Sequence, residues 1–130
     1  MPAVDLTQET FEAALRDNDI VLLDFWAEWC GPCKEFAPVY DRVADHHPDI
    51  VFGKVDIQHQ ERLAQMFGIR SIPTLAIFCE QQLIMLEAGA MPEATLEEAI
   101  TTVRGLDMDE VRADLKKRAE EAKQQENAGG

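Results

Sequence analysis

Nowhere in this 130-residue chain is there an apolar run near the ~20 residues that a membrane-spanning helix needs. The first ten residues have no basic start, no apolar core segment and no small-residue cleavage site, so they do not read as a secretory leader. The expected location is the cytoplasm. Cations are scarce: 12 Lys and Arg stand against 25 Asp and Glu, for a net charge of −13. That balance argues against nucleic acid and against anionic membranes as partners, because both are held by clustered cations. Three cysteines are too few for the disulfide framework of a small secreted domain. No internal repeat is visible. The 46% hydrophobic fraction is ordinary for a globular chain, and 130 residues allow one domain with a small appendage.

Two of the three cysteines stand together, in Trp29-Cys30-Gly31-Pro32-Cys33-Lys34. An apolar run over 20–26, broken only by Asp24, precedes them, and a helical pattern follows. In a C-x-x-C at a helix start both sulfurs can reach bonding distance without distorting the backbone. The first sulfur also faces unpaired N–H groups and the positive end of the helix dipole, which favour thiolate, the species that attacks a disulfide. Gly31 lets a partner's backbone come close, and Pro32 suits a first helical turn, where its missing N–H costs nothing. The competing reading is half of a zinc site. Such a site needs a second ligand pair, and Cys79, His46, His47 and His59 supply none at zinc spacing. The pair therefore reads as a cycling dithiol.

Taken in order, residues 3–6 form a short apolar alternation suited to an edge strand. Thr7 caps a helix carrying Phe11, Ala14 and Leu15. The strand over 20–26 has the continuous apolar character of one covered on both faces. The helix after Cys30 presents Phe36, Val39, Tyr40 and Val43 on one face, with Pro38 inside it and a kink expected there. A strand over 50–57, a short helix over 60–67 ended by Gly68, and two apolar runs at 74–78 and 83–87 follow. The turn between those runs contains no glycine, which predicts a loose connection rather than a tight primed one. A helix over 92–103 closes the core pattern. The order β-α-β-α-β-α-β-β-α implies an α/β fold: a mixed five-stranded sheet flanked by four helices.

Residues 105–130 read as a separate helical C-terminal extension on a 1–104 domain. Asp107 opens it in the manner of a capping box; Val111, Leu115, Ala119 and Ala122 make a thin apolar stripe, and residues 124–130 are expected to be disordered. A weakly docked helix, a solvated helix and a self-association surface all suit that pattern.

The cysteine motif with 21–27 before it, Gly68-Ile69-Arg70-Ser71-Ile72-Pro73-Thr74, and Gly89-Ala90 together resemble the thioredoxin family, over about residues 4–103. The resemblance implies that family's fold and reduction of disulfide-containing protein substrates, with electrons from an NADPH-dependent thioredoxin reductase. No cofactor would be bound beyond the redox-active Cys30–Cys33 disulfide. It makes Cys30 the exposed nucleophile and Cys33 the more buried resolving thiol. Asp24 becomes the acid that helps deprotonate Cys33, with Lys54 beside it. From the residues alone Asp24 could instead cap a loop and Lys54 be an ordinary solvated lysine. Ile72-Pro73 corresponds to the family's cis-proline loop, and Trp29, Gly31, Pro32, Ile72, Gly89 and Ala90 would form a docking patch for an extended substrate segment. Glu35 departs from the pattern where an apolar residue is common, and Cys79 is an additional thiol read as an inert strand residue. Proline rather than histidine before Cys33 favours a reductant over an oxidant. Two other readings remain: a binding or chaperone-like module, and a dedicated electron donor selected by the extension.

Overall fold

The computed structural model describes residues 3–128, and side chains through residue 125. Its strands are β1 (Val4–Asp5), β2 (Ile20–Trp26), β3 (Val51–Asp56), β4 (Thr74–Cys79) and β5 (Gln82–Ala88). Between and after them run α1 (Gln8–Asp17), α2 (Gly31–His46), α3 (Glu61–Met66), α4 (Glu93–Arg104) and α5 (Met108–Ala128). The sheet order is β1-β3-β2-β4-β5. β1, β3 and β2 are parallel, while β4 is antiparallel to both β2 and β5. The mixed five-stranded sheet and its four flanking helices are as the periodicity implies.

Alternation along β2 decides which side chains meet which layer. Ile20 and Leu22 join Phe36, Tyr40, Val43, Leu96 and Ile100 in the core beneath α2 and α4. Val21, Leu23 and Phe25 face the other way, into the core with Phe11 and Leu63 beneath α1 and α3. Asp24 shares the parity of Leu22 and therefore lies on the α2 side. Tyr40 ties α2 to the sheet by donating its hydroxyl hydrogen to the Gly53 carbonyl at 2.8 Å. Gly53 lets β3 pass close to Leu6, since a β-carbon there would collide with the Leu6 side chain unless that side chain shifted.

Local chemistry sets the helix ends. Thr7 caps α1, its hydroxyl accepting from the Thr10 N–H at 3.3 Å while its own N–H donates to Thr10 Oγ1 at 2.8 Å. At the end of α3, Gly68 takes φ +61°; its N–H reaches Gln65 O and that of Ile69 reaches Ala64 O, closing a Schellman motif. Asp107 caps α5 by accepting from the N–H groups of Asp109 and Glu110.

Two expectations are overturned. The β4–β5 connection is a tight two-residue turn despite lacking glycine: Glu80 and Gln81 have φ of 48° and 70°, and Cys79 pairs with Gln82. That conformation costs roughly 1–2 kcal/mol per residue, and distant contacts offset it. The Glu80 N–H donates to Asp19 O at 2.7 Å, and its carboxylate accepts from Arg112 of α5 at 3.2 Å. The second concerns the extension. Residues 124–128, expected to be disordered, continue α5, in keeping with the helix propensity of their Gln, Glu and Ala; residues 129–130 lie outside the described part. Among the described side chains, those that anchor the helix lie at its start, where Met108 is buried and Val111 half-buried. Side chains from 112 to 125 are exposed.

Candidate active site

β2 delivers the chain to the C-terminal edge of the sheet, and the turn after Ala27 starts α2. Cys30 is the N-cap of that helix. Its sulfur accepts from the Cys33 N–H at 3.2 Å, and the two cysteines are joined in a disulfide with their Cα atoms 5.3 Å apart. When the pair is reduced, the same N–H and the helix dipole are placed to stabilise a thiolate on Cys30. Pro32 occupies the first turn, where no N–H is needed.

Solvent access at the motif differs from the expectation. Trp29 is 66% exposed and Gly31 and Pro32 are open, but Cys30 retains only 5% of its surface and Cys33 3%. Cys30 is therefore a buried sulfur under an exposed rim, enclosed by Ala27 and half-buried Trp26, Ile57 and Ile72. The sequence-based picture of a freely exposed nucleophile is corrected accordingly.

Opposite the sulfurs stands the loop before β4. The Ile72–Pro73 peptide is cis, and the Ile72 carbonyl oxygen lies 3.8 Å from Cys30 Sγ. Pro73 is buried, and its carbonyl accepts from the Gly89 N–H at 2.8 Å, which ties the far end of β5 to the loop. Gly89 has φ +101°, a region that favours glycine. Trp29, Gly31, Pro32, Gly89 and Ala90 are exposed and Ile72 half-buried, whereas Pro73 offers no surface of its own.

Beneath the dithiol, Asp24 is 0% exposed, and neither carboxylate oxygen has a hydrogen-bond partner. Burial drives its pKa up, Lys54 pulls it partly back and Asp41 adds to the rise, leaving it at about 7. Asp24 and Lys54 are direct cross-strand partners. The half-buried Lys54 places its ammonium 4.7 Å from the Trp26 ring centroid, a cation–π contact that sequence reading misses. The helical pattern shows Tyr40 only as an apolar position, yet burial, with Asp24 and Asp41 nearby, pushes its phenol well above the ordinary range. Cys33 and Tyr40 belong to the buried face of α2, and Asp24 to the strand face turned toward that helix.

The third cysteine is elsewhere. Cys79 is buried at the opposite end of β4, and burial, reinforced by Glu80 and Asp19, raises its pKa. His46 and His47 both bond Glu97 of α4, and His59 bonds Asp56. Among the described residues no group of three or more His, Cys, Asp or Glu side chains is placed to hold a metal ion, and no helix is long and apolar enough to cross a membrane.

The thioredoxin family model matches residues 2–102. Putative thioredoxin 2 of Streptomyces coelicolor is 54% identical over 126 residues, covering 97% of this chain and 90% of that protein. An alignment of that length in 130 residues must include 5–126, so the likeness runs through α5. Thioredoxin 1 of a Nostoc species is 42% identical over 100 residues, 75% of this chain and 94% of its own. Among solved structures, a single-substitution mutant of thioredoxin from Halobacterium salinarum superposes with a TM-score of 0.75 at 32% identity, covering 82% of this chain and 93% of that one. Spinach chloroplast thioredoxin f gives 0.73 at 34%, covering 80% and 95%. A cysteine pair closed at a helix start is what such a fold exists to present: the chain belongs to the thioredoxin family, and its chemistry is thiol–disulfide exchange.

Proposed function

We propose that the chain is a general protein-disulfide reductase of the cytoplasm, with residues 1–104 as the catalytic domain and 105–130 as an accessory. The observation that carries this reading is the Cys33 N–H aimed at Cys30 Sγ from the first turn of α2. A Cys30 thiolate attacks one sulfur of a substrate disulfide, forming a mixed disulfide and releasing the other sulfur as a thiolate. Asp24 accepts the proton of Cys33. The Cys33 thiolate then attacks Cys30 Sγ, the Cys30–Cys33 disulfide forms, and the second substrate thiolate leaves. Two electrons pass to the substrate, and an NADPH-dependent thioredoxin reductase returns two. Lys54 tunes Asp24. Trp29, Gly31, Pro32, Ile72, Gly89 and Ala90 frame the substrate segment, with the Ile72 backbone nearest the sulfur, while Pro73 shapes the loop from beneath.

NADPH-coupled turnover with thioredoxin reductase and a generic disulfide protein tests this directly. Wild type should turn over, and Cys33→Ser should lose turnover while accumulating a mixed disulfide with the substrate, visible on a non-reducing gel. A mixed disulfide that formed instead on Cys30→Ser would overturn the assignment of nucleophile and resolver. A second reading, a dedicated donor to one partner, is favoured by the exposed length of α5. It requires that removing residues 105–130 depress activity with that partner alone.

A further inference from the structure

The exit route for the proton that Asp24 accepts is legible in the sheet register. Asp5 of β1 pairs with Lys54 of β3, and Lys54 pairs with Asp24 of β2. Registered neighbours on adjacent strands turn their side chains to the same face, so the three form one transverse row. With strands about 4.8 Å apart, Asp24 stands only ~10 Å from the exposed edge residue Asp5. One residue pair further on, Trp26 registers with Asp56.

A cleft of about 340 Å³ opens along this edge, lined by Asp5, Trp26, Lys54, Asp56 and His59 among others. It is roomy enough for several water molecules at ~30 Å³ each. Trp26 Nε1 is a buried donor with no partner in the chain, as both oxygens of Asp24 are buried acceptors. At the mouth, His59 Nδ1 lies 2.8 Å from Asp56 Oδ2, and Asp56 Oδ1 accepts from the Gln58 N–H at 2.9 Å. Burial pushes Asp56 up, but His59 and the Gln58 N–H outweigh it and hold the carboxylate below its usual range. Asp56 thus remains an anion that orients the imidazole and leaves the second ring nitrogen toward solvent. The His59 side chain is largely exposed.

We propose that this edge cleft is the proton port of Asp24, with His59, oriented by Asp56, as the exchanging group at its mouth. The proposal rests on the reading that Asp24 takes the Cys33 proton. Asp24 lies behind the cleft wall rather than in it, so the proton passes from its carboxyl to a water admitted past Lys54 and Trp26, then through the cleft to the His59 imidazole and on to buffer, and Asp24 returns to carboxylate for the next cycle. No electron moves in this step. The charged and titratable groups facing Asp24 are Lys54 from β3 and Asp41, Tyr40 and, once the disulfide is reduced, Cys33 from α2, with apolar Leu75 on the β4 side. Those lining the cleft with His59 are Asp5, Lys54 and Asp56. Imidazole is suited to the mouth because its two ring nitrogens can take up a proton on one side and release one on the other.

The test is the multiple-turnover rate of disulfide reduction near neutral pH, with substrate and thioredoxin reductase both in excess over this chain, followed by NADPH oxidation as buffer concentration is lowered. Wild type should be insensitive to buffer. His59→Gln should slow several-fold in dilute buffer and recover on adding imidazole, a rescue that a merely structural role for His59 would not produce. Asp24→Asn should be slow under all conditions and gain nothing from imidazole. If His59→Gln matches wild type at the lowest buffer concentration while Asp24→Asn is slow, the port is wrong and the role of Asp24 stands. An Asp24→Asn variant as fast as wild type would instead remove the role of Asp24, and the port with it.

Discussion

At the end of the sheet where β2 passes into α2, Asp24 and Trp26 Nε1 are buried without hydrogen-bond partners. Roughly 20 Å away along β2, at the other end, the charged groups are knitted together. Arg104 holds Asp49 through two bonds of 2.8 and 2.9 Å and donates to His47 Nδ1 at 2.9 Å. Because arginine can only donate, Nδ1 must accept; the other ring nitrogen, Nε2, then carries the hydrogen and faces Glu97 at 3.1 Å. Arg112 bridges Glu80 and Asp109. One end leaves polar groups unsatisfied at a cost in stability, and it is the end that carries the cysteine pair. At the other end Arg104 and Arg112 tie Asp49, Glu80 and Asp109 into ion pairs.

That contrast is most easily broken at Asp24. Its carboxyl titrates at about 7 in the folded chain against 3.8 ordinarily. Between those values the folded state binds more protons than the unfolded one, so stability falls as pH rises from about 4 to 7, by about 4 kcal/mol in all. Asp24→Asn removes this loss: the disulfide form of the variant should gain a few kcal/mol over wild type at pH 8, shrinking toward zero near pH 4. Denaturant unfolding at the two pH values reads the difference directly, and parallel stability curves would mean that Asp24 does not carry the penalty.

At the quiet end the effects should be smaller and confined to stability. Removing residues 105–130 uncovers the site of Met108 and the half-buried Val111. The expected loss is about 2–3 kcal/mol in unfolding free energy, from apolar burial alone. Turnover of a generic disulfide protein should stay within about twofold of wild type, since the change lies far from the sulfurs. A large loss of that generic turnover would show that the two ends are coupled. Least of all, Gln81→Gly should stabilise by about 0.5–1 kcal/mol, by relieving the left-handed backbone at φ 70°. A melting temperature that fell on this change would mean the turn is held by more than its local geometry.

What the sequence discloses and what it hides divide along the same line. Cys30, Cys33 and Asp24 are legible because each violates a local rule: a paired thiol at a helix start, a carboxylate inside an apolar strand. The sheet and helices follow from periodicity, including the edge position of β1. The β4–β5 turn is misread because its compensation comes from Asp19 and Arg112, one on each side and far along the chain. The Tyr40–Gly53 bond is hidden for a similar reason, since an aromatic at an apolar helix position gives no sign of where its hydroxyl will land. The burial of Cys30 arises from packing by Ile72 and Ile57, which no spacing rule around the cysteine motif reports.

The placement of α5 bears on attachment. Its 21 residues make a rod about 32 Å long, rooted beside the β4–β5 turn and bare from residue 112 to 125. A chain held by its C-terminal end, on a surface or fused to a larger body, would hang from the β4–β5 end of the sheet. The cysteine pair would then lie at the opposite end of the sheet from the root of the rod.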